Sequence, residues 1–271
     1  MITDGLRLEQ RHGKARMRVG RVWREPNGGR HRLVEWNVNV SLLSHCLPAY
    51  THADNSDIVA TDTIKNIVLV SFSSSSSFLF FIVYAKAKEC DQPLSMEDFA
   101  IVLAKHFTSS YEQVSGAIIN IVEKPWERIY LDGQPHEHGF KLGSEKHTTE
   151  VIINKCGAVE VISGVEGLVV LKTTQSGFEG FPRDSYTTLP ETRERVLGTE
   201  ITASWRYTFE TLTSIPERQF YFMGRYMDVK KVLIDTYFGP AKGGAYSSSV
   251  QSTLYHMANS VLARSPLVQL I

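Results

Sequence analysis

Two of the side chains needed to hold a flat, oxygen-rich heterocycle lie in one run, LKTTQSGFEGFPRDSYTTLPETRERVLGTEITASWRY from Leu171 to Tyr207. Phe178 offers an aromatic face and Arg195 a guanidinium fork, with polar backbone around both, and a purine is a ligand of that description. Taken alone, each has a plainer use: Phe178 as turn or core packing, Arg195 as a surface charge. Other candidates are weaker. His136, Glu137 and His138 place two imidazoles at alternate positions on what reads as a Gly- and Pro-rich loop, without a third ligand at recognisable metal-site spacing. Cys46, Cys90 and Cys156 are odd in number and far apart, with no CxxC pair, so reduced thiols are expected. No phosphate-cradling P-loop, G-x-G-x-x-G or G-x-S-x-G occurs, which leaves nucleotide-fold and α/β-hydrolase readings without support.

The elements that must position such residues follow from periodicity. A chain of 271 residues, 42% hydrophobic, can bury one large core or two ordinary ones. With 29 basic and 29 acidic residues its formal charge is zero, so nothing points to nucleic acid or an anionic membrane as partner. The charged start, MITDGLRLEQRHGKARMRV, is unlike a secretory signal. Val34, Trp36, Val38, Val40 and Leu42 alternate with polar residues as on a half-buried strand, which pairs with Arg16 to Trp23 across Glu25-Pro26-Asn27-Gly28-Gly29. Ser95-Met96-Glu97-Asp98 starts a helix with Phe99, Val102, Leu103, His106 and Phe107 on one face. Strands are expected near Gly116 to Val122, Thr148 to Lys155, Val159 to Leu171 and Thr199 to Tyr207. A helix carrying Val229, Val232, Leu233 and Tyr237 stops at Gly239-Pro240, and a last one, from about Ser249 to Ala263, has Val250, Leu254, Met257 and Val261 spaced for burial.

Three segments in this order, DNSDIVATDTIKN (Asp54 to Asn66), NIVEKPWERI (Asn120 to Ile129) and the Leu171 to Tyr207 run, resemble the urate oxidase (uricase) family of plants. The resemblance runs from about Leu8 to Arg264. It implies an α+β fold of tandem tunnelling-fold (T-fold) domains, antiparallel sheets with helices packed on one face, divided as 1–156 and 157–271. It also implies roles. Phe178, Arg195 and Gln251 match the family's stacking, fork and amide residues, and Val250 the residue whose main chain meets the purine. Thr61 and Asp62 match residues that reach the purine from a neighbouring subunit, Asp62 through its backbone N–H, and Lys14 in QRHGKARMRV matches the catalytic lysine. By residue type alone, Gln251 reads as a solvated or capping helix residue, Thr61 or Asp62 as an N-cap and Lys14 as a solvent-facing strand residue. The implied reaction turns urate, dioxygen and water into 5-hydroxyisourate and hydrogen peroxide, with no metal or organic cofactor and with a Lys14–Thr61 relay removing a proton. A homotetramer with sites between subunits, a place in purine breakdown and a peroxisomal location complete the expectation.

Two departures accompany the resemblance. Ile67 to Val83, IVLVSFSSSSSFLFFIV, interrupts the helix after Thr61. It reads as a low-complexity loop retained from an intron or a mis-drawn exon boundary, since removing Ile67 to Phe81 restores KNIVYAKAKEC, and a membrane span is the weaker alternative. The chain then ends in Val268-Gln269-Leu270-Ile271, which supplies neither the family's closing hairpin, with its relay histidine and dioxygen-side asparagine, nor its peroxisomal tripeptide. His256 does not replace that histidine. These departures predict impaired turnover and leave two rivals: an inactive urate-binding or subunit-interaction variant, and a pterin-directed T-fold enzyme whose glutamate and metal-binding histidines cannot be placed.

Overall fold

The computed structural model describes residues 9–24, 29–68, 93–207, 209, 211–216, 221–265 and 268–271. The alternation in Val34–Leu42 becomes a long hairpin, β1 (Arg11–Trp23) with β2 (Arg32–Ser44), in which Trp36, Val38, Val40 and Leu42 are buried. Two helices follow, α1 (Leu47–Thr51) and α2 (Thr61–Val68), so Ile67 and Val68 complete α2. The rest of the Ile67 to Val83 insert lies outside the described residues. Ser95 caps α3 (Met96–Ser110), its hydroxyl accepting from the Asp98 amide at 3.1 Å. Phe99, Leu103 and Phe107 of α3 are buried, whereas Val102 sits at the rim of that face with 37% exposure.

Strands β3 (Val114–Glu123), β4 (Trp126–Leu131), β5 (Gln134–Leu142), β6 (Lys146–Asn154), β7 (Val159–Lys172) and β8 (Leu197–Tyr207) precede α4 (Tyr221–Phe238), α5 (Val250–Arg264) and a short β9 (Val268–Leu270). Seven of the strands form one antiparallel sheet in the order β1-β2-β3-β6-β7-β8-β9, with α3 on β3 and β6 and with α4 and α5 packed together over β7 and β9. The sheet is continuous across residue 156, because β6 pairs with β7 from Lys146↔Glu166 to Ile153↔Val159.

Beneath the helices the core encloses a charged cluster around Glu97. The Glu97 carboxylate, fully buried, takes hydrogen bonds from the Ser163 hydroxyl at 2.5 Å and from His147 Nε2 at 2.9 Å, while Tyr226 of α4 stacks on the His147 ring at 3.8 Å. Burial alone would lift the Glu97 carboxyl out of the usual range, but His147 and Ser163 together hold it below. Since Glu97 and His147 precede residue 156 and Ser163 and Tyr226 follow it, the Ser163 hydrogen bond and the Tyr226 stack tie both halves of the chain to one core.

Three sequence readings need correction. His136, Glu137 and His138 lie on β5, not in a loop: Asp132 (φ 49°) and Gly133 (φ 75°) make the tight turn of a β4–β5 hairpin. On α5 only Met257 and Val261 are buried, whereas Val250 is 49% and Leu254 65% exposed. Helical spacing identifies a face without fixing how much of its length the same chain covers. Finally, Val268-Gln269-Leu270, assigned to no element above, form β9, which pairs with β8 from Tyr207↔Val268 to Trp205↔Leu270.

Candidate active site

The candidate residues gather in two corners. In the first, Gly13 and Lys14 lie on β1 where it crosses β2. A Cβ on Gly13 would stand 2.0 Å from the Val40 carbonyl oxygen, so only glycine lets the strands approach there. Directly afterwards the register slips between Lys14 and Met17, with Arg16 at φ 58° and its amide donating to Asn39 Oδ1 at 2.8 Å. This bulge re-aims Lys14.

The α2 helix packs on β1 beside that bulge. Its first intrahelical bond runs from the Ile64 amide to the Ala60 carbonyl at 3.0 Å, which leaves the amides of the first turn, those of Thr61 and Asp62 among them, without partners inside the helix. Thr61, Asp62 and Lys14 are all exposed in the single chain. The Asp62 carboxylate accepts from Lys65 Nζ at 2.7 Å and Asn66 Nδ2 at 2.8 Å. Its carboxyl is held below the ordinary range, first by the Lys65 hydrogen bond, with Asn66 and the charge of Lys14 adding to it. That influence places Lys14 within electrostatic reach of the α2 start.

His12 fixes this corner, and sequence reasoning missed it. Its Nε2 accepts from the Val59 amide at 3.2 Å, so Nδ1 carries the proton and donates to Ser44 Oγ at 3.2 Å. Burial depresses its pKa, which keeps the ring neutral and able to accept. A neutral imidazole thus holds the Val59-Ala60-Thr61 segment against β1. Nothing in the local sequence signals it, because both partners lie more than thirty residues away.

The second corner lies between β7 and β8. Phe178 pairs with Thr192 through bonds of 2.7 and 3.2 Å, and the Arg195 amide reaches the Ser176 carbonyl at 2.8 Å. Phe181 stacks on Phe178 at 4.7 Å, and the Arg195 guanidinium lies 5.4 Å from the Phe178 ring centre. Ser176 then bridges to Ser247, the Gly177 amide donating to the Ser247 carbonyl and the Ser247 amide to the Gln175 carbonyl, each at 2.9 Å. Gly177 is closely enclosed, since a Cβ there would stand 2.1 Å from the Tyr246 hydroxyl. Ser249 caps α5 by accepting from the Ser252 amide at 3.0 Å, so Val250 and Gln251 sit in the first turn, tied to the loop that carries Phe178 and Arg195.

The structure therefore groups Lys14 with Thr61 and Asp62, and Phe178 with Arg195, Val250 and Gln251, but it does not join the two groups. β1 is one edge of the sheet and β8 stands five places away, which at about 4.8 Å per strand is roughly 24 Å of sheet. Elsewhere, His136 and His138 lie 4.7 Å apart between ring centres, and among the described residues no group of three His, Cys, Asp or Glu is placed to hold a metal.

A helix-backed antiparallel sheet in this order is a T-fold arrangement. The solved uricase of Arthrobacter globiformis shares that fold with a TM-score of 0.77 at 32% identity, over 98% of this chain and 80% of that one. The uricase family model matches residues 10–152 and 161–271. Uricase of Arabidopsis thaliana is 61% identical over 262 residues (97% of this chain, 80% of that protein), and uricase-2 of Phaseolus vulgaris 59% over 265 (98% and 81%). The chain belongs to the uricase family. Nothing in these similarities favours an inactive binding or subunit-interaction protein.

Proposed function

We propose that this urate oxidase works at sites built from two copies of the chain, one supplying the Lys14–Thr61–Asp62 corner and the other the Phe178–Arg195–Val250–Gln251 corner. The observation that carries the proposal is the separation of the two corners across the sheet. Phe178 stacks on the purine, Arg195 and the Gln251 amide take its oxygen and nitrogen edges, and the Val250 backbone adds a contact. The α2 start presents the Asp62 N–H to the anion from the second copy.

In this reading Thr61 Oγ takes a proton from urate while passing its own to the neutral amine of Lys14. The resulting electron-rich urate anion reduces dioxygen, water enters at C5, and hydrogen peroxide leaves. Closing the site between copies shields Lys14 and Thr61 from water. A homotetramer, a peroxisomal location and a place in purine breakdown belong to the same proposal and rest on the family.

Mixing two disabled chains tests it. Lys14→Met, which loses turnover, and Arg195→Ala, which is nearly silent when urate is held far below its raised KM, are co-refolded in equal amounts and assayed at that low urate concentration. Because each shared site takes one corner from each copy, roughly a quarter of the sites then combine two intact corners, and urate-dependent peroxide returns to about that fraction. No recovery in properly associated mixtures would mean that each site lies within one chain.

A further inference from the structure

Lys172, at the end of β7, is 9% exposed, and among the described residues no carboxylate offsets its charge. A buried ammonium without a counter-ion is costly unless all of its protons are taken up. Here they are: Nζ donates to the Ala245 carbonyl at 2.7 Å, to Ser247 Oγ at 2.7 Å and to the Tyr237 carbonyl at 3.3 Å, with the Tyr237 ring 5.1 Å away. The Tyr237 carbonyl belongs to the last turn of α4, the negative end of that helix's dipole. The charge is thus held by three acceptors and one helix terminus, all of them in the segment that leads from α4 into α5.

Those contacts fix the geometry of one half of the site. Ser247 is the residue bridged to Ser176, and four positions further on lies Gln251. On the other side of the bridge the Ser176 carbonyl receives the Arg195 amide. A shift of Ser247 therefore moves the first turn of α5 relative to Phe178 and Arg195. Building on the urate reading, we propose that Lys172 is a positioning residue for the purine: it acts through Ser247 to set where the Gln251 amide and the Val250 backbone stand opposite the Phe178 ring. It touches no substrate atom in this role.

Urate binding without dioxygen, measured by equilibrium dialysis on the intact chain, tests this through a double-mutant cycle. Lys172→Met keeps the length of the side chain and removes the cation, and it weakens urate binding by about 10-fold, the loss expected when one hydrogen bond to a charged ligand is misplaced. In a Gln251→Ala background the same change weakens binding by less than about 2-fold, because the group it positions is already gone. Ser247→Ala, which leaves Lys172 its two carbonyl acceptors, gives a smaller loss with the same coupling, and it carries the test alone if Lys172→Met does not fold. Unchanged binding, or the same loss in both backgrounds, overturns the role of Lys172 while leaving the urate site standing. A parent chain that binds no urate overturns both.

Discussion

The two corners of the site differ in how firmly the chain holds them. The Phe178–Arg195–Gln251 corner rests on buried groups, Ser176, Ser247 and Lys172, and on backbone pairings to both sides of the loop. The Lys14–Thr61 corner is exposed, stands at a sheet edge on a strand bulge, and is fastened to β2 and α2 chiefly by one neutral histidine. On the proposed function this difference becomes a division of labour: the corner assigned to binding is preorganised within one chain, whereas the corner assigned to proton transfer would gain low-dielectric surroundings from the second copy.

The largest effect expected from this contrast is at Lys14. Lys14→Met lowers turnover by about 10²- to 10³-fold, in the range of a lost general base, while urate affinity measured without dioxygen stays within about 3-fold. A matching loss of affinity would show that this corner binds as much as it reacts. The next effect is at Arg195. Arg195→Ala removes a charge-assisted contact made to substrate and transition state alike, so it weakens urate binding by about 10- to 100-fold and leaves turnover at saturating urate within about 5-fold. Steady-state kinetics on both variants separates the corners. Equal effects on binding and turnover at both positions would erase the division.

The sequence makes the preorganised corner more legible than the other. Alternation and capping reveal β2, α3, β7, β8 and both late helices because these signals are local, and Phe178 with Arg195 shows its chemistry within one short run. The β4–β5 hairpin escapes because His136, Glu137 and His138 draw attention to metal chemistry, although Asp132-Gly133 between two strand-like runs is the stronger signal. Lys172 and His12 escape for a different reason. A lysine in LKTTQ and a histidine in RHGK look like surface residues, and only long-range contacts, to Ala245 and Ser247 in one case and to Ser44 and Val59 in the other, show that they are fixed parts of the site. The exposure of Val250 is also outside local reach, since it depends on what covers α5 and not on the helix.

The smallest effect is a pH dependence confined to the weaker corner. Burial holds His12 below its ordinary value of 6.5. As pH falls below that value, the unfolded chain takes up a proton that the folded corner resists, so the stability contributed by neutral His12 is fully present above 6.5 and is lost towards acid. Protonation also removes the acceptor at Nε2, which releases the Val59 amide and frees the start of α2. The measurement compares the parent chain with His12→Gln, whose amide oxygen still accepts from Val59 but does not titrate. Between pH 7.5 and 5.5 the parent loses more in Tm than His12→Gln. Hydrogen exchange at Thr61 to Asn66 rises over the same interval in the parent alone. Titrations elsewhere, such as those of Glu97 and Glu123, are common to both proteins and cancel in the difference. Parallel pH profiles in the two chains would mean that α2 is held by its apolar packing through Ile64 and Val68, and that His12 does not fasten this corner.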